Sequence, residues 1–367
     1  MKYFALSYGK LYTYIQILSS LLATIMSLVT RNSVSRSIVD GTGYTALHLT
    51  TDHSEPIYTV KFNRYGNLAA SGGKDQGIVI WNMDSLTNQK FAADTQEVPV
   101  SYDFCPAIHK SAITWIAWSQ IDDPLMFLSS ADSTASIFDI NKGCKIKTFH
   151  HNGSVNQLDV SKKDTLITCS DDSTVKLWDT RSKFPVSVIK SEYPILSCCI
   201  DLNEAALYFA GIDPAICCYD PRDISKPLWR EANQSSNVTS LSLAPGTSDY
   251  LISKSVDGSI KYFDSRTVFS KGGSSIAHRR HAKPYVFDGS QANEDDWLIH
   301  SKLVTDSDGK LKVISASSDG YIYVWDFASR KLLFRFEGHS GPSYDVDCFD
   351  DRLISCSVDG SLIVRDL

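Results

Sequence analysis

The sequence contains no Cys-x-x-Cys pair, no HExxH, no glycine-rich phosphate loop and no nucleophile elbow. Those absences remove the usual signatures of zinc binding, metalloprotease chemistry, nucleotide binding and acyl transfer. Positive charge is also short: 36 Lys and Arg stand against 42 Asp and Glu, a net charge of −6. The imbalance is uneven. Lys2, Lys10, Arg31 and Arg36 against Asp40 give residues 1–40 a sum of +3, so −6 less +3 leaves −9 on residues 41–367. A body this acidic is unsuited to broad binding of a phosphate backbone, although a local basic patch can still touch RNA. The nine Cys are odd in number, and several lie in apolar runs such as 195–200 and 216–219. They read as small reduced hydrophobes in a core, which points to a cytosolic or nuclear compartment. Helical periodicity is nearly absent after residue 40, which excludes a helical solenoid.

Residues 11–30, LYTYIQILSSLLATIMSLVT, carry no charge at all. Twenty residues suffice to span a bilayer, but seven of these are Thr, Ser or Gln, which weakens insertion. Thr13, Gln16, Ser20, Thr24 and Ser27 recur at helical spacing, so the segment is expected to be helical. Four readings stand open: a membrane anchor, a signal peptide, an amphipathic helix docked on a partner, or an artefact of start-site choice. Membrane contact is expected only if this segment is a real anchor.

What the rest of the chain does contain is a repeat. Seven segments pass from small residues through an Asp turn into alternating apolar residues, and close on Asp or Asn at 82, 139, 179, 220, 264, 326 and 366. The separations are 57, 40, 41, 44, 62 and 40. The Asp, often followed by Gly, suits a tight hairpin turn that needs φ > 0. A strand-like run precedes each segment, at 57–62, 113–118, 155–160, 195–200, 238–243, 297–303 and 344–348. Several short strands per unit at even spacing predict an all-β, seven-bladed propeller over residues 41–367. The last unit lacks a fourth strand. Residues 44–49 alternate like one, so they are expected to complete it and close the ring. The 83–107 and 267–296 stretches are read as inserts. Residues 1–40 are a separate N-terminal segment.

The period near 40 and the closing Trp-Asp resemble WD40 repeats. That resemblance implies a hydrogen-bonded set in each blade: a His before the first strand, a Ser or Thr four residues before the turn Asp, and a Trp six after it. His53, Ser71, Asp75 and Trp81 match fully, as do His151, Thr168, Asp172 and Trp178. Blade six offers Ser315, Asp319 and Trp325 without an evident His. Blade seven offers His339, Ser355 and Asp359, with Arg365 in place of Trp. Blades two, four and five depart further. These residues read as parts of blades rather than catalytic groups, and no cofactor or metal is expected.

Three blades end in an aromatic-Asp-x-Arg set, supplying Arg181, Arg222 and Arg266. Arg at this place reads either as a local ion pair or as a docking surface. The sets resemble those of propellers that recruit substrates to cullin-RING ubiquitin ligases. Residues 165–223 and 317–341 are more specifically similar to the WD-repeat family of the spliceosomal U5 snRNP. That similarity implies a non-catalytic nuclear scaffold in pre-mRNA splicing, monomeric within a larger complex. Its implied partners are other spliceosomal proteins, the large central U5 protein among them. The basic run Lys271, Arg279, Arg280 and Lys283 is a candidate contact for RNA phosphates or an acidic protein surface, and otherwise a solvated loop. A membrane-anchored trafficking propeller is the remaining alternative.

Overall fold

The computed structural model describes residues 29–39, 45–84, 86, 97–122, 124–232, 234–265, 285–287, 289–290 and 297–367. Those residues form strands and turns with no helix, arranged as seven four-stranded antiparallel blades. Blade three shows the plan. Val155–Val160 lies innermost, followed outward by Leu166–Ser170, Thr174–Trp178 and Ser187–Lys190. The innermost strands of the other blades are Ile57–Phe62, Ile113–Trp118, Ile195–Ile200, Val238–Leu243, Ser301–Thr305 and Ser343–Phe349. In blade six the strand begins at Ser301, later than the expected 297, because the backbone of His300 bonds instead to Tyr344 and Ala316.

The period-two pattern has a direct cause. Both faces of every blade are covered by neighbours, so apolar side chains fill seven layers, one at each seam. Trp81, Trp325, Phe127 and Phe138 are among the large side chains these layers bury completely. The nine Cys are free, and six of them are buried in this packing.

The turn chemistry matches the sequence reading. The residue after the turn Asp takes positive φ at Gln76, Ser133, Ser173, Gly258, Gly320 and Gly360. Blade four places Pro214 after Asp213, and a proline ring forbids that conformation. A Cβ at Gly320 would also fall 2.8 Å from the His339 carbonyl oxygen, so Gly there is required twice over.

Closure goes beyond the expected strand. Thr45–Leu49 does pair with Leu362–Asp366 as the outer strand of blade seven. Val29–Val39, however, is a strand as well, so the end of the segment set apart as residues 1–40 pairs into the ring. Its first part pairs with Glu97–Cys105 of blade one and its last part with Thr45–Leu49. Blades seven and one therefore share one nine-stranded sheet. The helix expected over 11–30 lies outside the described residues apart from Val29 and Thr30, which begin this strand. Both stretches read as inserts also contribute outer strands, Glu97–Cys105 to blade one and Tyr285–Phe287 to blade five.

Candidate functional site

Strands alternate in direction, so the ends of the first and third strands of every blade lie on one side of the ring. The turns between second and third strands lie on the other, with the loop that leads into each blade. The expected polar sets occupy the latter side.

In blade one the His53 Nδ1 lies 2.7 Å from the Asp75 carboxylate and its Nε2 lies 2.9 Å from Ser71 Oγ, while Trp81 Nε1 donates to the same Oγ at 3.1 Å. In blade three His151 meets Asp172 at 3.1 Å and Thr168 at 2.7 Å, and Trp178 donates to Thr168 at 2.9 Å. The contacts suit a relay of donors that ends on the carboxylate. Trp N–H donates to the hydroxyl, and an imidazole with its proton on Nδ1 would accept from that hydroxyl at Nε2 and donate to the carboxylate. Burial, with Lys176 adding to it, pushes His151 down to about 4. Burial alone would raise Asp172, but bonds from Thr174, the Asn152 amide and His151 bring it down to about 2.

Other blades reach the same end by different means. In blade seven His339 Nε2 meets Ser355 at 2.8 Å, but Nδ1 meets Ser361 at 2.6 Å. Asp359 stands 4.0 Å away and binds Ser340 instead. Arg365 is buried, with its guanidinium donating to the Glu337 carbonyl. In blade six Asp319 accepts from the Tyr323 hydroxyl at 2.6 Å, and Ser315 accepts from the buried ammonium of Lys254, a blade-five residue, at 2.6 Å. Trp325 is buried in the seam between those two blades.

Two partners escaped the sequence reading. His109 completes blade two, bonding Asp132 at 3.0 Å and Ser136 at 2.7 Å. Gln234 stands in for a His in blade five and donates to Ser253. The His109–Asp132 separation of 23 residues, against 22 and 21 in blades one and three, was the signal for the former. The hydroxyl it meets sits on the third strand instead of the second.

The opposite side of the ring carries Arg181 and Arg222, both exposed in turns after third strands. Arg181 pairs with its own Asp179 through bonds of 3.0 and 2.8 Å, leaving the side chain 89% accessible. The Arg222 amide caps onto Asp220. Arg266, Lys271, Arg279, Arg280 and Lys283 lie outside the described residues.

On this same side the central channel opens into a cavity of about 400 Å³. Strand register makes seven residues equivalent around it, one per blade: Lys61, Ala117, Asp159, Cys199, Ser242, Lys302 and Asp347. Unlike the polar sets, this ring does not repeat. The Lys61 ammonium bonds both oxygens of Asp345, at 2.7 and 2.6 Å, and lies 4.0 Å from the Trp115 ring. Burial would raise Asp345, yet Lys61 and His300 hold it below the ordinary carboxylate range. Lys302 bonds Asp347. Asp159 accepts only backbone N–H groups, from Val160 at 2.9 Å and Ile200 at 3.0 Å, and burial pushes it up to about 6.

The family model described as WD domain, G-beta repeat matches residues 45–82, 143–179, 296–326 and 330–366. The pre-mRNA-splicing factor cwf17 of Schizosaccharomyces pombe is 30% identical over 325 residues, 86% of each chain. This chain belongs to the WD40-repeat family. The WD40 protein is also similar to the U5 small nuclear ribonucleoprotein 40 kDa protein of Dictyostelium discoideum, 29% identical over 86% of this chain and 82% of that one. The Homo sapiens protein of the same name is 27% identical over 87% and 83%. No helix among the described residues is long and apolar enough to cross a membrane.

Proposed function

We propose that this WD40 protein is a non-catalytic scaffold subunit of the U5 snRNP, acting in pre-mRNA splicing in the nucleus. The observation that carries this reading is the extent of the likeness. It runs over 320 and 325 residues to the U5 40 kDa protein and to cwf17, so it spans the ring and not merely a generic repeat. A rigid ring suits the role, because its two sides and outer rim can hold several partners at once. The chain acts as one copy within a larger complex and docks on the large central protein of that particle. Arg181 and Arg222 belong to the docking side, and the 267–283 basic run is the segment for any contact with RNA.

Affinity purification of the full chain, followed by mass spectrometry and RNA sequencing, tests this. U5 proteins and spliceosomal RNAs are the expected yield, and their absence overturns the reading. The exposure of Arg181 and Arg222 favours one second reading, a cullin-RING substrate receptor. In that case a ligase adaptor copurifies instead, and its binding is lost on changing both arginines to Ala.

A further inference from the structure

Asp347 and Asp159 are equivalent ring positions and do the same structural work. Each accepts the N–H of the residue that follows it, at 2.7 and 2.9 Å. Each also accepts the N–H of the corresponding strand in the next blade, Phe62 at 2.9 Å and Ile200 at 3.0 Å. Their surroundings then differ. The ring position one blade before Asp347 is Lys302, whose ammonium bonds it. The ring position one blade before Asp159 is Ala117. One carboxylate is thus matched by an internal cation. Its twin bonds only amides, with Lys302 and Lys61 acting on it from a distance, beside a side chain too short to reach it.

We infer that the channel mouth beside Ala117 receives a basic side chain, arginine or lysine, presented by a protein partner, with Asp159 as its acceptor. Charge decides the sign of the occupant. Lys61 and Lys302 are already matched by Asp345 and Asp347. Arg64, at the rim, is held by the Gln120 carbonyl at 2.7 Å. An anion would have to displace a buried carboxylate from its lysine, whereas a cation reaches Asp159 without breaking any pair. A second acceptor lines the same cavity. Ser301 is 4% exposed and its hydroxyl has no partner. The cavity wall includes Leu158 and Leu241, which suits the methylene stem of a long basic side chain. The inference goes beyond the splicing reading and does not depend on it.

The test uses the purified full chain and three capped tripeptides, Gly-Arg-Gly, Gly-Lys-Gly and Gly-citrulline-Gly. Binding is followed by tryptophan fluorescence, since Trp115 and Trp118 line the cavity, and by calorimetry. The arginine or lysine peptide is expected to bind, with citrulline at least about tenfold weaker. Asp159→Asn should weaken the basic peptide by a similar factor. Because that change can disturb two backbone bonds, Ala117→Lys is the second variant. It recreates the Lys302–Asp347 arrangement, so it should abolish peptide binding while the protein stays folded. Ala117→Ser should bind as the parent does. The inference is overturned if citrulline binds as well as arginine, if Ala117→Lys binds like the parent, or if no basic peptide binds. Preferential binding of a polyuridine oligonucleotide at this mouth would also overturn it. Any of these failures leaves the U5 purification experiment unaffected.

Discussion

The two sides of the ring are built on opposite principles. On the turn side, His, hydroxyl, Asp and Trp form complete sets in blades one and three, and in blades two, five, six and seven other partners fill part of the same arrangement. At the channel mouth, seven equivalent positions hold five different residue types, and one carboxylate, Asp159, bonds no cation. Repetition marks residues that hold the fold. Departure from repetition, at positions the repeat makes comparable, marks residues free to serve recognition.

The comparison can be broken most forcefully at the seams. Trp81 is fully buried between blades seven and one and donates to Ser71. Trp81→Ala should cost about 3–5 kcal/mol in denaturant unfolding. A loss under about 1 kcal/mol would mean that the turn-side set does not hold this blade.

His151→Ala should cost about 1–3 kcal/mol, since it leaves the Thr168 and Asp172 groups without their partner. It should also change the pH profile. His151 is lowered to about 4 in the folded chain, so its contribution is complete above the ordinary value near 6.5 and is lost as pH falls through about 4. The parent should therefore lose stability over that window more steeply than the variant. Parallel profiles would contradict a buried neutral imidazole.

Lys254 sharpens the contrast, because this blade-five lysine supplies the bond to Ser315 that a His supplies elsewhere. Burial pushes its ammonium down to about 7. A base lowered in the folded state is most favourable above its ordinary value near 10.5, and that favour is lost as pH falls through about 7. Lys254→Met should therefore be at least as stable as the parent at pH 7, and its stability should not climb between pH 7 and 10 as the parent's does. Thermal unfolding at stepped pH measures this.

The smallest effect is expected at Arg181→Ala. Its pair with Asp179 is exposed, so unfolding free energy should change by no more than about 0.5 kcal/mol. A larger change would assign this arginine to the fold and remove it from the docking side.

Much of this was legible in the residues. The seven Asp turns, the small residues before them and the alternation after them predict the hairpins. The 44–49 alternation predicts the closing strand. The outer strands are where the reading fails. Glu97–Cys105 carries Pro99, and Tyr285–Phe287 is three residues long. A proline and a very short length both disguise a strand in a sequence, because the strand pattern needs several alternating residues to show. Val29–Val39 was hidden for another reason: a strand that bridges two outer edges needs little side-chain pattern of its own. Blade six was equally obscure, because the group that replaces its His comes from another blade.

The sequence by itself determined the number of blades, the handover between the chain ends and the polar sets of blades one and three. The blades and the polar sets rest on contacts within one unit, where spacing along the chain fixes proximity in space, while the closing strand was legible from the strand that the last unit lacks. Only the tertiary structure decided which residues meet across seams and around the channel. Lys61 reaches Asp345 over 284 positions and Lys302 reaches Asp347 over 45. Ala117 stands beside Asp159 where a lysine stands beside its twin. Such contacts depend on closing the ring, which brings together residues whose spacing carries no information about their distance.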